Sequence, residues 1–198
     1  GDKKNFDAIN VKKDNFDNIF KDKMNLSALV RKNDELVYTR YNQKRQIDSN
    51  TMLHGASMSK TALSTAIGTL LCNGKIDSLS DELGKYSPSL AKTPYSKISI
   101  KNTLQMNSGV ESIKSDLKFR RKLNQIAQGM RKHEGKADVL KAISLLKGND
   151  REQGSKFFYN SSDPYALSIL ISDLTKKPAS EIFYENAYKK FNKNNFMH

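Results

Sequence analysis

The stretch GASMSKTAL, residues 55–63, sets Ser57 three positions ahead of Lys60 at the head of an apolar pattern. Leu63, Ile67, Leu70 and Leu71 recur on one helical face and Asn73-Gly74 supplies a stop, so the spacing predicts a helix from Ser57 to Leu71. Residues three apart share a helix face, which brings the Lys60 ammonium within reach of the Ser57 hydroxyl. An amine held away from water, near other positive charge or dipoles, gives up its proton readily and can then take one from a serine. Backbone N–H groups at a helix start have no intrahelical partner, and those beside Ser57 would form a cradle for an oxyanion. Spacing alone does not single out this pair. Ser89/Lys92, Ser115/Lys118 and Ser144/Lys147 repeat it, and in a lysine-rich chain a solvated lysine is the plainer reading of each. Only Ser57 follows a loop and opens an apolar helix; the others lie in polar stretches or late in a helix.

Working outward, LSALVRKNDELVYTRYN (26–42) has two strand-like runs around Lys32-Asn33-Asp34, the pattern of a β-hairpin. Residues 1–25 carry Phe6, Ile9, Phe16, Ile19 and Phe20 among many charges, which predicts a short amphipathic, basic helix. Downstream, helices are predicted over 99–106, 116–130, 136–147, 163–174 and 179–191, with loops at Pro88, Pro94, Gly109 and 148–154. A two-stranded hairpin is marginal unless further strands or a helix cover it. Nothing after residue 100 reads as a pair of buried strands, so the sheet is incomplete in this chain. The expected organisation is an N-terminal segment (1–25), part of an α/β domain with the hairpin and the nucleophile helix (26–75), and a helical lobe (76–198). The fold class is α/β in the α+β sense.

Bulk properties narrow the function classes. The chain has 198 residues, and 34 Lys plus Arg against 21 Asp plus Glu leave a net charge of +13. Such a charge favours anionic surfaces such as envelope polymers, lipid head groups or nucleic acid, but a solvating surface bias is the simpler explanation of residues spread so evenly. A nucleic-acid partner is not expected, because no helix-turn-helix, zinc finger or aromatic RNA-binding strand is legible. No run approaches the roughly 18 apolar residues of a membrane span, and no charged-then-apolar leader opens the chain. The first residue is Gly, as after removal of a leader or tag. The one cysteine, Cys72, excludes an internal disulfide and a cysteine-built zinc site. His54, His133 and His198 are scattered without clustered carboxylates, so neither a metal nor another cofactor is expected. A Ser-His-Asp triad is disfavoured as well, since Gly55-Ala56-Ser57-Met58-Ser59 fails the G-x-S-x-G elbow at its last position.

HGASMSKTALSTAIGTLLCNGKIDSLSDELGKYSPSL followed by ISIKNTLQMNSGV resembles the serine β-lactamase and penicillin-binding-protein superfamily. The likeness is to its class C and esterase branch, the β-lactamase-related serine hydrolases that include 6-aminohexanoate-dimer hydrolases. In that branch the S-x-x-K helix is followed by an N-G-K-I-D-like turn, a Pro-containing segment and an L-L-x-M-x-S-G-like element; here these are residues 73–77, 86–90 and 103–109. The resemblance covers about residues 26–195, corresponding to the N-terminal half or slightly more of a typical member. It implies a β-lactamase/transpeptidase-like fold, an antiparallel sheet flanked by helices with a mostly helical lobe.

The resemblance also implies a tyrosine motif, Y-x-N or Y-x-S, which Tyr159-Asn160-Ser161 fits; Tyr184-Glu185-Asn186 matches too but falls inside a predicted helix. By the resemblance, Ser57, Lys60 and Tyr159 are catalytic, Tyr159 sharing the proton with Lys60, while a buried core tyrosine is the plain alternative. Ser161 stands where many relatives carry Asn and would contact substrate without the amide that grips a β-lactam side chain. Ser115-Asp116-Leu117 departs from S-D-N at its third residue. No K-T-G or H-x-G strand follows Tyr159, which places that motif in a second polypeptide, in a part cleaved off, or outside these residues. The expected activity is hydrolysis of a small-molecule ester or amide through an acyl-enzyme. The alternatives are a β-lactamase or D-Ala-D-Ala peptidase and a non-catalytic basic binding module. Many relatives are exported, so a periplasmic or extracellular location is the expectation.

Overall fold

Asn33 takes a left-handed φ of 47°, a conformation that asparagine tolerates better than most residues, and it turns strand β1 (Ser27–Lys32) back into β2 (Glu35–Tyr41). The computed structural model describes residues 24–33, 35–53, 55–110, 139–146, 148 and 151–189. Residues 1–23 of the predicted 1–25 segment, the predicted helix 116–130, and His54, His133 and His198 lie outside them. The two strands pair antiparallel from Ser27↔Tyr41 to Lys32↔Glu35, with a bulge after Val30 that leaves an extra residue on β2. Tyr38 is buried, whereas Leu29, Leu36 and Val37 are about half exposed at 57%, 49% and 50%. Among the described residues the sheet has these two strands and is unclosed.

The described residues form two compact units, one ending at His54 with the hairpin and the other beginning at Gly55. In the second, a 3₁₀ turn (Ala56–Met58) leads into α1 (Ser59–Cys72). Ser57 therefore sits in the turn before the α-helix rather than in its first turn. Leu63, Ala66, Ile67 and Leu70 of α1 are buried, a stripe of helical period facing the core. The helix ends at Asn73-Gly74, where Gly74 has φ 68° and the N–H groups of Lys75 and Ile76 both reach the Leu70 carbonyl. Asp77, in the turn that follows, accepts a hydrogen bond from Lys85 of α2 (Leu83–Tyr86), as does Asp81. Hydrogen bonding to Lys85 and Tyr86 holds the carboxyls of Asp77 and Asp81 below the ordinary carboxylate range.

Pro88 begins a 3₁₀ turn rather than an irregular loop, since its fixed φ suits the first position of a helical turn. Then come α3 (Ile100–Leu104), capped by the Ser99 hydroxyl, α4 (Val139–Ser144), α5 (Ser162–Thr175) and α6 (Ala179–Phe183), which continues as a π-helix (Tyr184–Tyr188). Helix α5 is central: α1, α2, α3, α4 and α6 all pack on it. Ile67, Leu70, Leu83, Leu90, Tyr95 and Ile171 lie in the core with at most 1% of their surface exposed. Each such burial contributes roughly 1.5–3 kcal/mol. This unit accordingly has a core of its own, on which a surface site can be held rigidly.

Candidate active site

Two segments far apart in sequence build the site. The first is Gly55 to Lys60. Ala56 is held at φ 43°, a left-handed conformation that costs a residue with a Cβ, and the Met58 N–H closes the turn on the Gly55 carbonyl. Residues three apart share a helical face, so the step from Ser57 in the turn to Lys60 at the start of α1 brings the two together. Lys60 Nζ donates to Ser57 Oγ at 3.1 Å.

The second segment carries Tyr159, and it is fastened on both sides. Before it, Gln153 Oε1 accepts from the Ser99 N–H and from Asn102 Nδ2, both at 3.0 Å, while its Nε2 donates to the Lys97 carbonyl. The Gly154 N–H reaches the Asn107 carbonyl and the Phe158 N–H reaches the Met106 carbonyl, each at 2.8 Å. Gly109 has φ 74°, and a Cβ there would lie 2.3 Å from the Arg151 carbonyl oxygen, so only glycine lets the two backbones approach this closely. The L-Q-M-N-S-G element is thus the bed on which the tyrosine segment lies. After Tyr159, Asn160 is buried, its Nδ2 donating to the Val110 carbonyl at 2.9 Å and its Oδ1 accepting the Ser162 N–H at 2.8 Å.

Tyr159 Oη stands 2.7 Å from Ser57 Oγ, and Lys60 Nζ lies 5.2 Å from the centroid of the Tyr159 ring, within cation–π range. A hydroxyl, an amine and a phenol thus meet at one exposed point, the serine and tyrosine 102 positions apart in sequence. The Ser57 hydroxyl is thus contacted from two sides, by Lys60 Nζ and by Tyr159 Oη. Ser161, the fourth residue singled out, is half-buried at the N-cap of α5, and its hydroxyl does not cap the helix.

The competing motifs go elsewhere. Ser89 donates to Asp173, Ser144 to the Leu140 carbonyl of its own helix, and Tyr184 stacks on Tyr188. Ser115, Lys118 and Lys147 are outside the described residues. No group of three or more potential metal ligands occurs among the described residues.

Sequence reasoning missed a second polar cluster, directly behind the tyrosine. Asp163 is fully buried in the first turn of α5, and its Oδ1 accepts from Tyr95 Oη at 2.6 Å, Ser108 Oγ at 2.7 Å and Asn160 Nδ2 at 3.3 Å. Burial raises its carboxyl to about 6, against the lowering effect of the hydrogen bonds from Tyr95 and Ser108. Burial, and then the charge of Asp163, push the Tyr95 phenol up in turn. The available signal was Asp163-Pro164 at the start of a predicted helix, which by itself reads as an ordinary first-turn acid.

The family model described as Beta-lactamase matches residues 16–195, and the chain belongs to that family. Its fold is the β-lactamase/transpeptidase-like one, with the sheet unclosed among the described residues. The chain is similar to a putative 6-aminohexanoate-dimer hydrolase from Bacillus anthracis, at 21% identity and TM-score 0.66 over 83% of this chain and 44% of that one. It is similar also to a D-stereospecific amidohydrolase from Streptomyces sp. (20% identity, TM-score 0.54, 69% of this chain and 41% of that one). A third similar structure is an octameric penicillin-binding protein homologue from Pyrococcus abyssi, with 16% identity and TM-score 0.58 over 85% and 39% of the two chains. No curated protein sequence matches. The chain spans less than half the length of each of these three structures. It is homologous to members of the serine hydrolase superfamily.

Proposed function

We propose that this chain carries the nucleophile of a serine hydrolase that cleaves a small ester or amide through an acyl-enzyme. The observation that carries the reading is the contact of Ser57 Oγ with both Lys60 Nζ and Tyr159 Oη. In the proposed first step Ser57 Oγ bonds to the substrate carbonyl carbon as its proton passes to the Lys60–Tyr159 pair. The tetrahedral intermediate then collapses, the bond to the alcohol or amine breaks, and the pair returns the proton to the leaving group. Water attacks the resulting ester by the same route in reverse and frees Ser57. The Ser57 N–H supplies part of the oxyanion site, and Ser161 faces the substrate. A K-T-G or H-x-G strand from outside this sequence, in a second polypeptide or elsewhere in the same protein, supplies the rest.

Ser161 in place of an amide favours esters and simple amides over β-lactams. A second reading, which the net charge of +13 favours, is a non-catalytic module that binds anionic polymers. Turnover separates the readings. Release of p-nitrophenol from short-chain esters, lost in Ser57→Ala and faster than hydrolysis of a chromogenic cephalosporin, is expected for the esterase. Faster cephalosporin hydrolysis would identify a lactamase. No turnover of either, together with salt-sensitive retention on an anionic matrix, would identify the binding module.

A further inference from the structure

We propose that Asp163 is a positioning residue, whose buried carboxylate gathers Tyr95, Ser108 and Asn160 and so holds the backbone at the point where Tyr159 is presented to Ser57. The inference rests on reading Ser57 and Tyr159 as reacting groups.

An acid in the first turn of a helix ordinarily faces water and the free N–H groups of the helix end. Asp163 instead points inward with none of its surface exposed. Its three donors come from three separate segments: Tyr95 from the loop before α3, Ser108 from the loop after it, and Asn160 from the tyrosine segment. All three meet Oδ1. Among the described residues no hydrogen bond reaches Oδ2, which is also buried. Burying a carboxylate with one oxygen unmatched is costly, and an apolar residue would fill the space with less penalty. What the carboxylate achieves is convergence: one atom ties the bed of the tyrosine segment to the residue that follows Tyr159. Asn160 continues the chain of bonds to the Val110 carbonyl and the Ser162 N–H. Because the tyrosine side chain is long, a small rotation of the backbone at Asn160 moves Oη by ångströms, out of reach of Ser57.

The test is the rate at which a fluorophosphonate labels the full chain, measured for wild type, Asp163→Ala, Asp163→Asn, Tyr159→Phe and the Asp163→Ala/Tyr159→Phe double variant. Circular dichroism follows the fold of each. Asp163→Ala is expected to slow labelling by about 10- to 100-fold, and Asp163→Asn to stay near wild type because its amide oxygen accepts from the same donors. In the Tyr159→Phe background Asp163→Ala should add no further slowing, since the group it positions has gone. Equal slowing in both backgrounds, or a folded Asp163→Ala labelled at the wild-type rate, overturns the proposal. If Asp163→Ala does not fold, Asn160→Ala takes its place with the same outcomes. Should wild type take no label, the catalytic reading fails. The positioning claim is then decided by the ¹³Cζ resonance of Tyr159, assigned by its loss in Tyr159→Phe. A changed shift in Asp163→Ala or Asn160→Ala supports the claim, and an unchanged one overturns it.

Discussion

The molecule holds two clusters of similar side chains in opposite settings. At Ser57, Lys60 and Tyr159, a serine, a lysine and a tyrosine meet in the open; at Asp163, Tyr95 and Ser108, a tyrosine, a serine and a carboxylate meet where none has more than 1% of its surface exposed. Both are short-bonded and both close over long sequence separations. What differs is access. An exposed hydroxyl is open to molecules from solution, whereas a hydroxyl locked onto a buried carboxylate can only hold structure. Tyr159 and Asn160, adjacent in the chain, face one into each cluster.

Mutations on the two sides should therefore fail differently. The largest effect is expected at Ser57: Ser57→Ala abolishes ester hydrolysis while the unfolding free energy stays within the change of an exposed substitution, about 0.5 kcal/mol. Lys60→Met keeps most of the side chain's unbranched stem without the amine and should lower kcat/KM by roughly 10²–10⁴-fold. Loss of folding in either variant would show that the exposed cluster is structural after all. On the buried side, Tyr95→Phe removes a donor from a buried carboxylate and is expected to cost about 1.5–3 kcal/mol in denaturant unfolding.

Asp163 adds a pH dependence whose sign is fixed by its raised carboxyl. Between the unfolded value of 3.8 and the folded value of about 6, the native state holds the proton more tightly than the unfolded chain. Its contribution is full below about pH 4 and is lost as pH rises through 6, a swing of about 3 kcal/mol at 1.36 kcal/mol per pKa unit. Subtracting the curve of Asp163→Asn isolates this swing from Asp173. At Asp173, burial pushes the carboxyl up, but hydrogen bonds from Ser87 and Ser89 outweigh it and hold the carboxyl low, so its loss comes at more acid pH. A flat difference between pH 4 and 7 would mean that the buried cluster does not hold a titrating acid.

Features set by neighbours in sequence were legible. The hairpin turn at Asn33, the apolar stripe of α1, the Asn73-Gly74 stop and the approach of Lys60 to Ser57 each depend on residues within a turn or two of one another. The ordered run of motifs carried Tyr159 across 102 residues, where spacing could not. The Asp163 cluster was not legible, because its bonds from Tyr95 and Ser108 span 68 and 55 residues and none of the three residue types is unusual in its local setting. Local geometry also escaped the pattern. The 3₁₀ turn and the positive φ at Ala56 move Ser57 ahead of the α-helix, and Met106 at φ 53° lies beyond the end of α3 at Leu104. Local propensity does not record such backbone strain.

The most direct measurement maps the adduct after fluorophosphonate treatment by peptide mass spectrometry. Attack by Oγ forms a phosphorus–oxygen bond and releases fluoride, so the label marks the activated hydroxyl. The prediction is modification at Ser57 alone, absent from Ser57→Ala. Label on Ser89, Ser144 or another serine, or an unmodified Ser57 in a folded chain, would contradict it.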